Sequence, residues 1–185
     1  MTFHRRAMSP VVPALCRILV LAVALCGVAA FAETPREIDV PGEIPGTVFH
    51  AEGAQIYECQ AGSNNHLVWQ LREPIATLMD GVNSVGRHYA ALHWEYVDPG
   101  TLVWEHNDGS LVKARILARA AGRTADDLPW LKLRVVTQVA NGMFYGVTHV
   151  QRINTQGGMA SGSCDQAGAF RSVPYSADYV FWRAD

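Results

Sequence analysis

The chain has 185 residues, with 15 Lys and Arg against 17 Asp and Glu, a formal net charge of −2. A slightly acidic chain without a basic cluster argues against nucleic acid as the main partner. The length and a 49% hydrophobic composition fit one domain with a real core, and exclude two ordinary domains or a disordered polymer.

The first segment carries His4, Arg5, Arg6 and Arg17, then the apolar run "ILVLAVALCGVAA" at 18–30 and "AFA" at 30–32. This is the layout of a secretory signal peptide over 1–32, followed by the polar "ETPRE". The run is shorter than the about 20 apolar residues a membrane span needs, so no span is expected after cleavage. An uncleaved anchor is the alternative; a lipid anchor at Cys26 is disfavoured by Leu25 before it, where a small residue is required. Loss of Arg5, Arg6 and Arg17 leaves 12 basic against 17 acidic residues, a net of −5, in the periplasm or outside the cell. Cys16 and Cys26 leave with the signal. Cys59 and Cys164 remain, and in an exported domain they are expected to pair; two separate buried thiols are the alternative. A bridge closing most of the mature chain is worth about 4–5 kcal/mol on chain-entropy grounds.

Residues 33–46, "ETPREIDVPGEIPG", read as an extended lead-in because Pro35, Pro41 and Pro45 interrupt a helix. The rest, 47–185, reads as a single β-rich domain. In "AQIYECQ", Gln55, Tyr57 and Cys59 share one face and Ile56 and Glu58 the other. "HLVWQLR" alternates Leu67, Trp69 and Leu71 with its neighbours. A turn or two of helix fits 73–81, with Pro74 at the start and Gly81 at the end. The Asp108-Gly109 pair is a hairpin signal. "SLVKARILARAAG" after it has good helix formers, yet its first half also fits a strand. "LPWLKLRVVTQV" sets Leu131, Leu133 and Val135 against Lys132 and Arg134, the pattern of a half-buried strand. Asn141-Gly142 then predicts a hairpin into "MFYGVTHVQRI". "VPYSADYVFWR" is expected to close the sheet. The sum is an all-β fold with little helix: about nine strands in a single antiparallel sandwich or closed barrel.

The densest chemistry lies in "GRHYAALHWEYVDPGTLVWEHNDGS" at 86–110. Trp-Glu-x-x-Asp occurs at Trp94 and again at Trp104, each followed by a glycine turn and Thr or Ser. The ten-residue offset is that of a strand plus its turn, so the segment looks like a local duplication. Taken as one strand, His88, Ala90, Leu92, Trp94 and Tyr96 share a face, and Tyr89, Ala91, His93, Glu95 and Val97 the other. His88 and His93 then point apart, which works against a zinc site needing three or four converging ligands. His93, Glu95 and Glu105 fit a solvated polar face, and Asp108 a turn. His88 sits inward with Leu92 and Trp94, either as a satisfied core histidine or as a pocket residue. No dinucleotide fingerprint, phosphate loop, Gly-x-Ser-x-Gly elbow or His-Glu-x-x-His motif occurs. Thr155, Ser161 and Ser163 lie in "TQGGMASGSC", read as a loop tied down by the disulfide. Arg152, at a strand end before it, is an anion-recognition candidate or the partner of a surface acid.

In order along the chain, Pro41-Gly42, "GAQIYECQ" at 53–60, Trp69, "GRHYA" at 86–90, "WEHNDGS" at 104–110, "LPWLKL" at 128–133, "VQRINTQGG" at 150–158, Cys164 and "VPYSADYVF" at 173–181 resemble a group of exported bacterial and fungal proteins catalogued as domain of unknown function 3455. The resemblance spans nearly the whole mature chain. It implies export, one β-rich domain and a Cys59–Cys164 bridge, and supplies no activity. The chain departs from the pattern in three places. Ala91-Leu92 stand where the family has Gly-Pro, and about ten extra residues separate His88 from Asp108-Gly109-Ser110. "MASGSC" replaces a proline-containing approach to the second cysteine.

The functional expectation is a non-catalytic exported domain that binds a small molecule, a glycan or an envelope partner. The candidate ligand residues are His88, Trp94, Trp104 and Arg152; no catalytic residue, metal or cofactor is assigned. Aromatic faces suit sugars and small amphipathic ligands. The rivals are a hydrolase or metal-dependent enzyme built on His93, Glu95 and Glu105, and a structural envelope protein.

Overall fold

The computed structural model describes Met1 and residues 34–63, 65–90 and 100–185. The signal-peptide segment therefore lies outside the described residues, apart from Met1, and so does 91–99 with His93, Trp94, Glu95 and the first copy of the repeat.

Eight strands follow in order: β1 (Glu43–Ala61), β2 (Leu67–Asp80), β3 (Asn83–Ala90), β4 (Leu102–His106), β5 (Leu111–Ala120), β6 (Trp130–Val139), β7 (Val147–Gly157) and β8 (Phe170–Ala184). Each pairs antiparallel with its neighbour in sequence. β1 also pairs with β8, from Glu43↔Ala184 to Glu58↔Phe170, so the sheet closes into an eight-stranded ring. Ring closure selects the closed form over two facing sheets, although β6 meets β7 only over Leu131–Arg134 and its remaining residues are unpaired on that side. As expected, the aromatic C-terminal run is the closing strand.

The expected nine short strands are eight longer ones among the described residues. The punctuation at Gly53 and Pro74 does not end a strand. Pro74 sits beside a bulge, where pairing steps from Ile56↔Glu73 to Tyr57↔Leu71 and Arg72 is the extra residue. Bulges are where proline is tolerated in a sheet. Gly53 is required by close approach: a Cβ there would meet Ile75 O at 2.0 Å and Ala76 Cα at 2.5 Å.

The helical turn expected at 73–81 is instead the second half of β2. Pro74, Ala76 and Leu78 are buried there while Ile75 and Thr77 are exposed, a period of two. The helix formers of 111–120 are likewise strand throughout. In β2 pairing on two sides and an alternating buried face, and in β5 pairing with β6 along its length with Leu111–Ala114 all buried, outweigh a propensity difference of a few tenths of a kcal/mol per residue. The Asn141-Gly142 turn is wider than a two-residue hairpin, since β6 ends at Val139 and β7 begins at Val147. The extra residues deliver Phe144 into the core. Leu71, expected on a buried face, is exposed, whereas Leu131 and Leu133 are fully buried as the alternation requires.

The lead-in is not wholly extended. Arg36–Ile38 form one 3-10 turn. It lies along the outside of β5 and β6, and the side chains of Gln151 and Lys132 donate to the carbonyls of Ile38 and Asp39 at 2.8 and 2.9 Å. Ile38 is fully buried beneath it. The segment thus straps the outer face of the ring.

The two ends of the ring differ. At one end lie the short turns 81–82, 107–110 and 140–146, and the interior is aromatic, with the His106 ring packed on Phe49 and Phe144. Phe49, Phe144 and Phe181 pack within 4.4–6.3 Å of one another, centroid to centroid. At the other end lie the connections β1–β2, β3–β4, β5–β6 and β7–β8. There Cys59 and Cys164 form the expected disulfide, with Cα atoms 5.9 Å apart across 105 residues of sequence. The bridge ties the β7–β8 connection to β1.

Candidate functional site

Strand register assembles a continuous inward ladder. Gly53 pairs with Ala76, Ala76 with His88, His88 with Trp104 and Trp104 with Val112. From the other side Arg152 pairs with Tyr179 and Gly53 with Tyr175. Since residues two apart in a strand share a face, these pairings bring His88, Trp104, Arg152, Tyr175 and Tyr179 to one interior. Gln55 and Tyr57 follow Gly53 on the same face of β1.

His88 is buried, and its ring stacks on Trp104 at 4.4 Å with the planes 14° apart. Tyr179 abuts both rings, at 5.0 Å from His88 and 5.4 Å from Trp104. Nδ1 of His88 lies 2.8 Å from the Val103 carbonyl, which can only accept, so Nδ1 carries the proton and Nε2 is an acceptor. That Nε2 has no hydrogen-bond partner. Burial pushes the imidazole pKa down to about 3; the Val103 hydrogen bond opposes this, and the nearby Arg152 charge adds to it. His88 is therefore a neutral imidazole at physiological pH, unsuited to general-base catalysis near pH 7.

Three further buried side-chain atoms of this interior lack partners: Trp104 Nε1, and both Nε2 and Oε1 of Gln55. The phenols are better satisfied. Tyr175 and Tyr179 place their hydroxyls 3.3 Å apart, and Tyr57 donates to the Gly158 carbonyl at 2.8 Å. Burial raises the pKa of all three, so they stay protonated. Arg152 is buried. Its Nε and Nη2 donate to the Pro129 carbonyl at 3.2 and 2.9 Å, and it hydrogen-bonds Tyr179. No carboxylate among the described residues pairs with it. Arg152, expected at a strand end, lies in the middle of β7, paired on both sides, and is among the described residues an interior cation and not the partner of a surface acid.

Of the four candidate ligand residues, His88, Trp104 and Arg152 meet in this interior, and Trp94 lies outside the described residues. Gln55, Tyr175 and Tyr179 join them without having been singled out. A lone amide on the otherwise buried face of "AQIYECQ" is the sequence signal that marks Gln55.

The carboxylates are placed elsewhere. Glu105 is on the outer face, where its Oε2 accepts from Arg87 Nε and Nη2 at 3.0 and 2.8 Å and from the Tyr89 hydroxyl at 2.8 Å. Asp108 is in the opposite-end turn. It accepts from the backbone N–H of Ser110 at 2.8 Å and of Met143 at 2.7 Å; the Ser110 side-chain hydrogen bond first, and then the Met143 N–H, hold its carboxyl well below the usual range. Among the described residues no group of three or more His, Cys, Asp or Glu is placed to hold a metal ion, and no helix is long and apolar enough to cross a membrane.

A closed all-β domain with a polar, arginine-bearing interior and one disulfide is the class that these observations define. The chain belongs to the family described as Protein of unknown function (DUF3455), which it matches over residues 41–183. No curated protein and no solved structure matches it.

Proposed function

We propose that this protein is an exported, non-catalytic binding protein that takes a small polar molecule into the polar end of its strand ring. The observation that carries this reading is the set of buried, unpartnered polar atoms on Gln55, His88 and Trp104, gathered beside the faces of Trp104 and Tyr179. Buried donors and acceptors are almost always satisfied in folded proteins, and side chains that are not commonly meet a ligand or ordered water. Aromatic walls with a few fixed polar groups are the usual make-up of a small-molecule site. The disulfide favours the periplasm or the cell exterior as its place of work, because such bonds persist in oxidising compartments.

The enzyme reading has less support. Glu105 is committed to Arg87 and Tyr89 on the outer face, with a strand wall between it and His88. Thermal melting of the purified protein against a panel of glycans and small metabolites tests the proposal. A ligand at 100 times its Kd stabilises by about 2.7 kcal/mol, or roughly 5–10 °C for a domain of this size. The absence of any shift across the panel counts against it.

A further inference from the structure

Resting on that reading, we infer that the molecule taken up is a small hydroxylated organic anion, such as a sugar acid or a hydroxy acid. Its carboxylate is held by Arg152, and one of its hydroxyls donates to His88 Nε2.

The charge inventory points to the anion. Among the described residues Arg152 is the one buried guanidinium of this interior, and its partners are a backbone carbonyl and a phenol, both neutral. His88 and the three tyrosines around it add no compensating charge. A buried cation facing only dipoles is costly, and a carboxylate matches a guanidinium fork in shape and charge. Arg152 acts on the whole cluster, since its field reaches His88, Tyr57, Tyr175 and Tyr179 alike.

The inventory of buried, unpartnered atoms points to the hydroxyls. His88 Nε2 can only accept, Trp104 Nε1 can only donate, and Gln55 needs both. A bare carboxylate offers acceptors alone and leaves His88 Nε2 unpaired. A hydroxyl donates and accepts, so a carboxylate carried on a hydroxylated frame answers all of these groups.

Titration calorimetry of the purified protein with matched acid and neutral pairs tests this: glucuronate against glucose, galacturonate against galactose, with malate and inorganic phosphate alongside. The expected result is at least tenfold tighter binding of the acid than of its neutral partner. Arg152→Met should erase that difference, Arg152→Lys should keep part of it, and His88→Phe should weaken acid and neutral sugar together. Near-UV circular dichroism establishes that each variant is folded, and Arg152→Lys keeps the test open should Arg152→Met not fold. Equal affinity for acid and neutral sugar overturns the anion assignment and leaves the interior binding reading standing. Phosphate binding more tightly than every carboxylate overturns the organic acid. Acid binding untouched by both Arg152→Met and His88→Phe removes the ligand from this interior altogether. Failure of every anion in the panel to bind overturns the inference as well.

Discussion

His88 allows the interior to be tested without knowledge of any ligand. Its imidazole ionises at about 3 in the folded chain because burial penalises the charged form. In the unfolded chain it ionises near 6.5. Between those values the unfolded state binds more protons, so stability rises with pH and is lost as pH falls below the unfolded value. The size follows from linkage: about 1.4 kcal/mol lost by pH 5.5, about 2.7 by pH 4.5, and about 5 in total by pH 3. That is a large share of the 5–15 kcal/mol that holds an ordinary domain together. His88→Phe keeps the stacked shape, removes the titration and removes the unpartnered Nε2. It loses the hydrogen bond to Val103, worth about 1 kcal/mol net. At pH 7 the variant should lie within about 2 kcal/mol of the wild type. Urea denaturation at half-unit steps from pH 7 to 4.5 would then show the wild type falling relative to the variant by the amounts above. The carboxylates with lowered values, Asp108 and Asp127, act below this window and do not mask it. Parallel curves for the two proteins, or an imidazole titrating near 6.5 by NMR, would refute the claim that His88 is sealed in the interior.

Two further outcomes follow from the frame. Removing the bridge with Cys59→Ala and Cys164→Ala frees a 105-residue separation and should cost about 4–5 kcal/mol. That corresponds to roughly 10–20 °C in melting temperature, and a loss under about 1 kcal/mol would show that the closed loop does not govern stability. Asp108→Asn weakens the charge-assisted bonds that join the β4–β5 turn to Met143. Because the group is partly exposed, the expected cost is about 1 kcal/mol at pH 7. The folded value is depressed, so this contribution is present above about pH 4 and fades as pH falls below it; a wild-type advantage undiminished at pH 2 would contradict the assignment.

Alternation was the legible part of the sequence. It placed Gln55, Tyr57 and Cys59 on one buried face, set Leu131 and Leu133 inward, and put Glu105 outward, because a half-buried strand writes its two faces in a period of two. What alternation cannot write is which strand lies across the interior. Arg152 and His88 are 64 positions apart, and only ring closure through the β1–β8 pairing sets them on a common interior. The lost helix at 73–81 has the same origin. Ala, Leu and Met favour a helix locally, and pairing on two sides overrides that preference. The Trp-Glu-x-x-Asp repeat was visible as a pattern, but only its second copy, at Trp104, falls among the described residues.

The energetics of this interior constrain what the protein can be. Four unpartnered atoms, on Gln55, His88 and Trp104, each represent about 1–3 kcal/mol if left bare. Together they amount to about 4–12 kcal/mol, comparable with the whole net stability of a domain. A chain selected only to fill a core would replace them with apolar groups of the same shape, as it has done at the opposite end with Phe49, Phe144 and Phe181. The opposite end also holds polar groups, but there Ser110 and Gln138 are hydrogen-bonded to the backbone of Phe144 and Val147, so it is the unpartnered atoms, not polarity as such, that the needs of the fold leave unexplained. On the proposed reading, water and ligand would compete for the same four atoms, and a ligand would prevail by also meeting the charge of Arg152, which water does not neutralise. Occupancy and stability are then two readings of one equilibrium. On that reading a molecule that fills the interior raises the melting temperature, and a variant that replaces the unpartnered atoms with apolar groups, such as His88→Phe, loses binding while keeping its stability within about 2 kcal/mol of the wild type.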